Sequence, residues 1–211
     1  MQRRRFLSLS ALAVPSSQQA QAQAPGVVLT EVVTAMGSFV VAVDPARAPL
    51  TVANYLSYVD HRWLDKGSVY RVVTRDNQAA DVQYKIEVVQ WGMNAPDEKA
   101  PPVPAIAHET TQLTGLKHLD GTVSMARNGP GTASSEFFIC VGDQPELDFG
   151  GRRNPDGQGF AAFGQVVSGQ ATVRALYRQG GKQQVLDHGI LRKPVLVKTV
   201  RRVEGKADTR G

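Results

Sequence analysis

Short runs of β-branched and aromatic residues recur along most of the chain, and glycine, proline or polar residues bound each run. Runs of four to eight such residues between turn signals predict strands. The first two runs are joined by a short segment containing Gly37, as in a hairpin. Eight strands are predicted, at residues 27–33, 38–43, 68–73, 86–91, 122–126, 137–141, 160–167 and 195–203.

Two segments have helical periodicity instead. Pro49 opens the first, and its apolar stripe is Val52, Tyr55, Leu56, Val59 and Trp63; the second covers residues 168–179. Many short strands with two separated helices predict a mainly β fold, a closed antiparallel barrel with helices over its ends. A parallel α/β sheet is excluded because its regularly alternating helices are absent.

Two stretches predict loops. Residues 74–85 are polar, which indicates a surface loop, and residues 94–121 are rich in proline, threonine and glycine. The second stretch is predicted to be a long irregular connection, and connections of this length in a compact domain are usually functional.

The amino terminus has the pattern of an export signal. Arg3, Arg4 and Arg5 form a basic region, residues 6–14 are apolar, and a small-residue cleavage site ends at Ala24. The arginines followed by Phe-Leu also fit the twin-arginine pattern. We therefore predict a signal peptide at 1–24, a mature domain at 25–211 and a periplasmic location. The alternative is a retained, disordered basic leader.

Charge and composition narrow the possible partners. The 211 residues are 42% hydrophobic and 20% charged, as in one soluble globular domain. The formal charge of +5 falls to about +2 without the three leader arginines, since 21 basic residues then face 19 acidic ones. No basic patch is interleaved with aromatics, so no nucleic-acid partner is expected. The apolar leader run is too short to span a bilayer, so no membrane span is expected. The basic carboxyl-terminal tail is interpreted as a solvated end.

Several familiar catalytic motifs are incomplete or absent in this sequence. His108-Glu109 begins like a zinc-protease helix, but Gln112 stands where the second histidine belongs, so no metal site is predicted. Cys140 is the only cysteine, which excludes an intramolecular disulfide. Its apolar neighbours indicate a small buried side chain; the alternative, a nucleophilic thiol, has no histidine nearby in the sequence.

Seven segments in a fixed order carry a resemblance to the cyclophilins, a family of peptidyl-prolyl cis–trans isomerases. They are APLTVANYLSYV, VYRVV, VVQWG, GTVSMAR, TASSEFFI, ELD and AAFGQVVSG. The resemblance runs from about residue 28 to about 179, and we include the last strand. It implies an eight-stranded antiparallel barrel capped by two α-helices, no cofactor, and proline-containing polypeptides as substrates. We expect a monomer.

The resemblance also implies site residues. Arg71 matches the essential arginine of the family and Gln90 its glutamine, and both are expected to be catalytic. The expected substrate-binding residues are Val88, Met125, Ala126, Glu136, Phe138, Leu147 and Phe160. Without the resemblance, Arg71 would be interpreted as a solvated strand residue and Phe138 as core.

Departures from the family pattern favour a second hypothesis, a barrel that binds proline-containing segments as a chaperone or assembly module without catalysis. Glu87 and Glu146 stand where the family has aromatics, Glu136 replaces a glutamine and Tyr70 a histidine. Residues two apart on a strand share a face, so Glu136 is expected in the groove beside the proline pocket. We also consider a pairing of its carboxylate with the catalytic arginine.

Overall fold

The computed structural model describes residues 26–93 and 101–203. Its strands are β1 (Val28–Thr34), β2 (Gly37–Val43), β3 (Ser68–Val73), β4 (Val88–Gly92), β5 (Thr122–Met125), β6 (Glu136–Cys140), β7 (Ala162–Ser168) and β8 (Ile190–Arg202). They form a closed antiparallel barrel in the order β1-β2-β7-β5-β6-β4-β3-β8. The predicted fold class is confirmed.

In the described part of the chain, three α-helices accompany the barrel: α1 (Pro49–Asp60), α2 (Thr111–Thr114) and α3 (Gln170–Tyr177). Helices α1 and α3 lie within the two predicted segments, but α1 ends at Asp60, before Trp63 of the predicted stripe, and α3 is shorter than 168–179. The four-residue α2 lies inside the stretch 94–121, which the sequence predicts to be irregular. Short 3₁₀ turns occupy Pro145–Leu147, Arg178–Gly180 and Asp187–Gly189.

The failed zinc-protease motif has a structural role. The carboxylate of Glu109 accepts hydrogen bonds from the backbone N–H groups of Leu50 and Thr51 and from the Thr51 hydroxyl, at 2.6–3.1 Å. These N–H groups belong to the first turn of α1, where backbone donors lack partners within the helix. A carboxylate there satisfies the donors and interacts favourably with the helix dipole. Glu109 therefore fixes the start of α1.

The barrel interior is packed with aromatic side chains. The rings of Tyr55 and Trp91 lie 5.2 and 5.3 Å from that of Phe137, and Phe163 packs against the same cluster. All four side chains are fully buried, and each contributes on the order of 1.5–3 kcal/mol by leaving water. The Tyr55 hydroxyl shares a 2.7 Å hydrogen bond with the Thr30 hydroxyl, so its polar atom has a partner.

A second, smaller apolar cluster lies on the outer side of the barrel wall. It consists of Val73, Ile86, Val88, Phe138, Cys140 and Leu147, with Ala126 and Phe160 packed against it. Strand β6 contributes residues to both clusters because its successive side chains point to opposite faces. Phe137 lies inside the barrel and Phe138 lies outside it. Cys140 is 0% exposed, so the predicted small buried side chain is confirmed; this burial raises the pKa of its thiol well above the usual value.

Two ion pairs hold the end of β8 against the end of α1 and the turn that follows it. Arg201 binds Asp65 at 2.6 Å and Arg202 binds Asp60 at 2.7 Å. The predicted signal peptide and the end of the basic tail lie outside the described residues. Within residues 26–93 and 101–203, no helix has the length and apolar character needed to cross a membrane.

Candidate active site

A groove of about 460 Å³ opens on the outer face of the barrel, over β3, β4 and β6. It brings together eight of the nine site residues expected from the sequence. They are Arg71, Val88, Gln90, Ala126, Glu136, Phe138, Leu147 and Phe160. These residues come from six separate parts of the chain, so the barrel assembles them.

Met125 is the expected site residue that does not line this groove. Its side chain is fully buried inside the barrel, where the sulfur lies 4.0 Å from the Asn54 amide. Side chains alternate across a strand, so Met125 and the next residue, Ala126, cannot face the same way. Ala126 faces the groove, and Met125 supports it from within.

A bulge in β3 points Arg71 into the groove. Val69 pairs with Trp91 and Arg71 with Gln90, so Tyr70 is an extra residue in this strand. A bulge of this kind bends the strand and redirects a side chain. As a result the consecutive residues Tyr70 and Arg71 both lie in the groove, while Val69 and Val72 remain in the core.

A chain of hydrogen bonds then fixes the guanidinium. Arg71 donates from Nη1 to Gln90 Oε1 at 2.9 Å and from Nε to the His188 carbonyl at 2.8 Å. Gln90 in turn donates from Nε2 to the Tyr70 hydroxyl at 2.5 Å, and that hydroxyl donates to Glu136. Each end of the Gln90 amide is thus engaged, which sets its orientation. No hydrogen bond of Arg71 Nη2 is found within the described residues, and Arg71 lines the groove.

The electrostatics of this chain follow from partial burial and from one carboxylate. Burial lowers the pKa of Arg71 from its ordinary value, and the guanidinium stays protonated at neutral pH. Burial raises the pKa of Tyr70, and the negative charge of Glu136 raises it further. Tyr70 is therefore a neutral hydroxyl that can accept from Gln90 while it donates to Glu136.

Glu136 is accommodated because its partner on β4 is a glycine. Glu136 pairs with Gly92, and a Cβ on Gly92 would lie 2.3 Å from a carboxylate oxygen of Glu136. The connection between Glu136 and Arg71 in the structure is indirect, whereas the sequence suggests a direct pairing of the two side chains. The carboxylate acts on Tyr70, and it reaches Arg71 only through Tyr70 and Gln90.

The apolar end of the groove is a pocket around one phenylalanine. Phe160 meets the Phe138 ring edge to face, with centroids 5.3 Å apart, and Leu147 is fully buried beside it. The His118 ring stacks against Phe138 at 6.0 Å and 15°. An aromatic floor between fixed neighbours suits a flat, apolar ring such as that of proline.

The histidine behind the pocket belongs to a buried trio. His118 binds Asp148 at 2.8 Å through Nδ1 and Ser124 at 2.9 Å through Nε2. These are the partners of a hydrolase triad, but Ser124 is 0% and His118 1% exposed, so no substrate reaches the hydroxyl. The trio instead joins β5 to the residue that follows Leu147, and so supports two walls of the pocket.

Two of the three glutamates that favoured a non-catalytic binder point away from the groove. Glu87 accepts from the Tyr177 hydroxyl and pairs with Arg75 at 2.9 Å. Glu146 accepts from the backbone N–H of Arg152 at 2.8 Å and organises the following loop. Only Glu136 among the three lines the groove.

The groove has further lining residues that were not among the expected site residues. They are Tyr70, Ile86, Arg127, Asn128, Thr132, Ser134, Arg153 and Asn154. Tyr70 was noted as a departure before the arginine, and Ile86 as part of a strand. Arg153 comes from an irregular loop whose sequence has no periodicity, so no pattern could place it.

Comparison with known proteins identifies the family. Residues 29–201 match the family model of the cyclophilin type peptidyl-prolyl cis-trans isomerases. The chain belongs to this family. Over 148 residues it is 34% identical to peptidyl-prolyl cis-trans isomerase cyp18 of Streptomyces antibioticus, covering 69% of this chain and 81% of that protein. It is 28% identical to peptidyl-prolyl cis-trans isomerase B of Escherichia coli, over 78% of this chain and 93% of that protein.

Solved structures support the fold independently. A Cryptosporidium parvum cyclophilin type isomerase superposes with a TM-score of 0.66 and 16% identity, covering 85% of this chain and 99% of that one. The same protein in the presence of the dipeptide Ala-Pro gives a TM-score of 0.65. At this identity the likeness is one of fold, which is the barrel described above.

Proposed function

We propose that the protein accelerates cis–trans isomerisation of X-Pro bonds, with Arg71 as the catalytic residue and Gln90 as its support. The observation that carries the proposal is the position of Arg71. Its guanidinium is fixed by Gln90 and the His188 carbonyl, and it lines the same groove as the pocket of Phe138. Membership of the cyclophilin family supports the same reaction.

The chemistry needs no nucleophile. Rotation about a peptide bond meets a barrier of about 18–20 kcal/mol because the twisted state loses resonance. For X-Pro bonds the exchange takes roughly tens to hundreds of seconds, slow enough to limit folding. As resonance is lost, a lone pair localises on the prolyl nitrogen. A cationic donor held near that nitrogen stabilises the twisted state more than the planar one, and such differential binding is catalysis.

The groove divides this task between its two ends. The pocket of Phe138, Leu147 and Phe160 holds the proline ring, so the residue before proline is the part that rotates. The Nη2 donors of Arg71 then lie in the groove beside the bound ring, and the bonds to Gln90 keep them there. Because the donors are already oriented, little reorganisation is needed as charge develops.

The biological setting rests on the amino-terminal pattern. The basic region, the apolar run and the small-residue site ending at Ala24 occur in the order of a signal peptide. We propose that the chain is exported to the periplasm, where its substrates are polypeptides that fold after export. We propose that it acts there as a monomer.

One observation favours a second function. The charge of Glu136 in the groove makes the site unlike a purely apolar peptide pocket, which suits selective binding of proline segments without turnover. Glu87 and Glu146 give this hypothesis no further support, because their carboxylates are engaged elsewhere.

A protease-coupled assay on a short Ala-Pro peptide tests the proposal. We expect the wild-type protein to accelerate the slow cis-to-trans phase. Arg71→Ala should reduce kcat/KM by about 100-fold, since removal of one preorganised donor from developing charge costs about 10²–10³ in rate. Arg75→Ala is the matched control, because this arginine lies two residues beyond β3 and pairs with Glu87 outside the groove.

Two results would count against the enzyme. A folded wild-type protein that binds the peptide but leaves the slow phase unchanged would favour the binder. Equal losses of rate in the Arg71 and Arg75 variants would show that general charge, and not the fixed guanidinium, is responsible.

A further inference from the structure

A second cavity of about 1020 Å³ lies beside the groove and has a basic lining. Arg71 and Arg153 line both spaces, so the two are adjacent. The charged residues of the second cavity are the cations Arg71, Arg153, Lys182 and Arg192 and the acids Asp76 and Asp187. Four cations against two exposed carboxylates leave this space positively charged.

Arg153 stands at the junction of the two spaces. It donates from Nη1 to the Gln78 side-chain oxygen at 3.1 Å and to the Tyr84 carbonyl at 2.9 Å. Both acceptors are neutral, and both belong to the loop 74–86, which they join to the loop carrying Arg153. Burial lowers the pKa of Arg153, and the positive charge of Arg71 lowers it further. Each guanidinium therefore lies in the field of the other.

The lack of a carboxylate partner distinguishes these two arginines from similar ones. Three other arginines that are at least half-buried each contact a carboxylate, at 2.6–2.8 Å; they are Arg127, Arg174 and Arg201. Within residues 26–93 and 101–203, Arg71 and Arg153 are half-buried and have no carboxylate within 4.0 Å. Half-buried cations without a counter-charge are costly, and an incoming anion relieves that cost.

The acidic side chains near the two arginines do not form an ion pair with either of them. Asp76 and Asp187 are exposed at the rim of the second cavity and make no ion pair within the described part of the chain. Glu136, in the groove, accepts from the Tyr70 hydroxyl. A ligand that carries its own carboxylate therefore gains from entering.

We propose that Arg153, in the positive field that it shares with Arg71, forms a subsite for the carboxylate side chain of a glutamate or aspartate close to the proline of the substrate. The inference rests on the proposed function, since it assigns a sequence preference to the same groove. Arg153 is a specificity-determining residue in this account. The planar fork of a guanidinium suits bidentate binding of a carboxylate.

Matched peptides test this subsite. Each peptide carries an Ala-Pro bond and is blocked at both ends. The variable residue occupies one of the two positions before the Ala-Pro dipeptide or one of the two positions after it. The two peptides of a matched pair differ only in having glutamate or glutamine at that position. Exchange NMR gives kcat/KM, and a chemical-shift titration gives Kd without any need for turnover. At one position or more, we expect a preference for glutamate of about fivefold to tenfold at low salt, as for a charge-assisted contact.

Variants separate the subsite from a structural role of the loop. Arg153→Gln should bring the glutamate-to-glutamine ratio close to one, whatever happens to the overall rate. Arg152→Gln removes the same charge from the neighbouring position, where the side chain pairs with Glu146 and stacks over Tyr84. This control should keep the ratio. A distorted loop would change both peptides alike, so a structural role leaves the ratio unmoved.

The outcomes are distinguishable from failure of the isomerase proposal. Tighter binding of glutamate peptides without turnover would overturn the proposed function and support the subsite. Turnover with equal kcat/KM and Kd for every matched pair would overturn the subsite alone. A preference that survives unchanged in Arg153→Gln would assign the carboxylate to another residue and also overturn it.

Discussion

The two faces of strands β4 and β6 show how one piece of sheet serves two purposes. Toward the barrel interior, Trp91 and Phe137 are 0% exposed and are surrounded by other aromatic rings. Toward the groove, Gln90 and Glu136 are half-exposed, and Phe138 floors an open pocket. The interior face supplies stability through close packing, and the groove face holds a fixed set of donors and one apolar pocket. Adjacent residues therefore differ in function because a strand alternates.

The largest expected effect comes from replacing the two neighbouring phenylalanines separately. Phe137→Ala should lower the free energy of unfolding by about 3–5 kcal/mol, since it leaves a cavity in a closed core. Phe138→Ala should cost about half as much, because its ring borders an open groove, but it should raise the KM for an Ala-Pro peptide by roughly tenfold. Urea unfolding and steady-state kinetics measure the two effects. A larger stability loss in the Phe138 variant would break the comparison.

A smaller effect is expected from the end of the hydrogen-bond chain. Glu136→Gln keeps an acceptor for the Tyr70 hydroxyl but removes its charge, so the contact weakens. We expect kcat to fall about threefold to tenfold with KM little changed, and the unfolding free energy to stay within about 0.5 kcal/mol. Tyr70→Phe, which removes the link to Gln90, should act in the same direction. Unchanged kinetics in both variants would mean that this chain does not orient Arg71.

The smallest expected effect is on stability at mildly acidic pH. Burial lowers the pKa values of His108 and His118, so these side chains bind protons less readily in the folded protein than in the unfolded chain. The unfolded chain then takes up protons first as the pH falls below about 6.5, and the stability present above that pH is lost. Between pH 7.5 and 5.5 we expect a loss of at most about 1 kcal/mol for His118. Asp148 does not contribute in this window, because its pKa lies below the usual carboxyl value.

Chemical denaturation at the two pH values measures this loss. His118→Gln should flatten the pH dependence, and the exposed His61 provides the control through His61→Gln. An equal pH dependence in the wild type and the His118 variant would contradict the assignment.

Much of the fold could be predicted because its signals are local. Period-2 patterning gives the strands, and the same alternation places Glu136 and Phe138 on one face. Other features depend on geometry with no local signal. The extra residue at Tyr70 has the composition of an ordinary strand, and the bulge appears only when β3 is paired with β4.

The side chains that were misplaced or missed have similar physical reasons. The Met125 side chain faces the barrel interior because side chains alternate along the chain there and the next residue, Ala126, faces the groove. Glu87 binds Tyr177, which lies in α3 and far away in the sequence, and Arg75, which lies in a loop. Neither partner has a local sequence signal, so the direction of the Glu87 side chain could not be predicted. Arg153 comes from an irregular loop, and contacts with a second loop decide its position.

One measurement on Arg71→Ala tests the central claim, that the groove face carries catalysis and the barrel interior carries stability. Exchange NMR of an Ala-Pro peptide and urea unfolding would be recorded on the same preparation. The account predicts that catalysed exchange falls about 100-fold while the unfolding free energy changes by no more than about 1 kcal/mol. Undiminished exchange, or a loss of exchange that only follows a loss of folded protein, would contradict it.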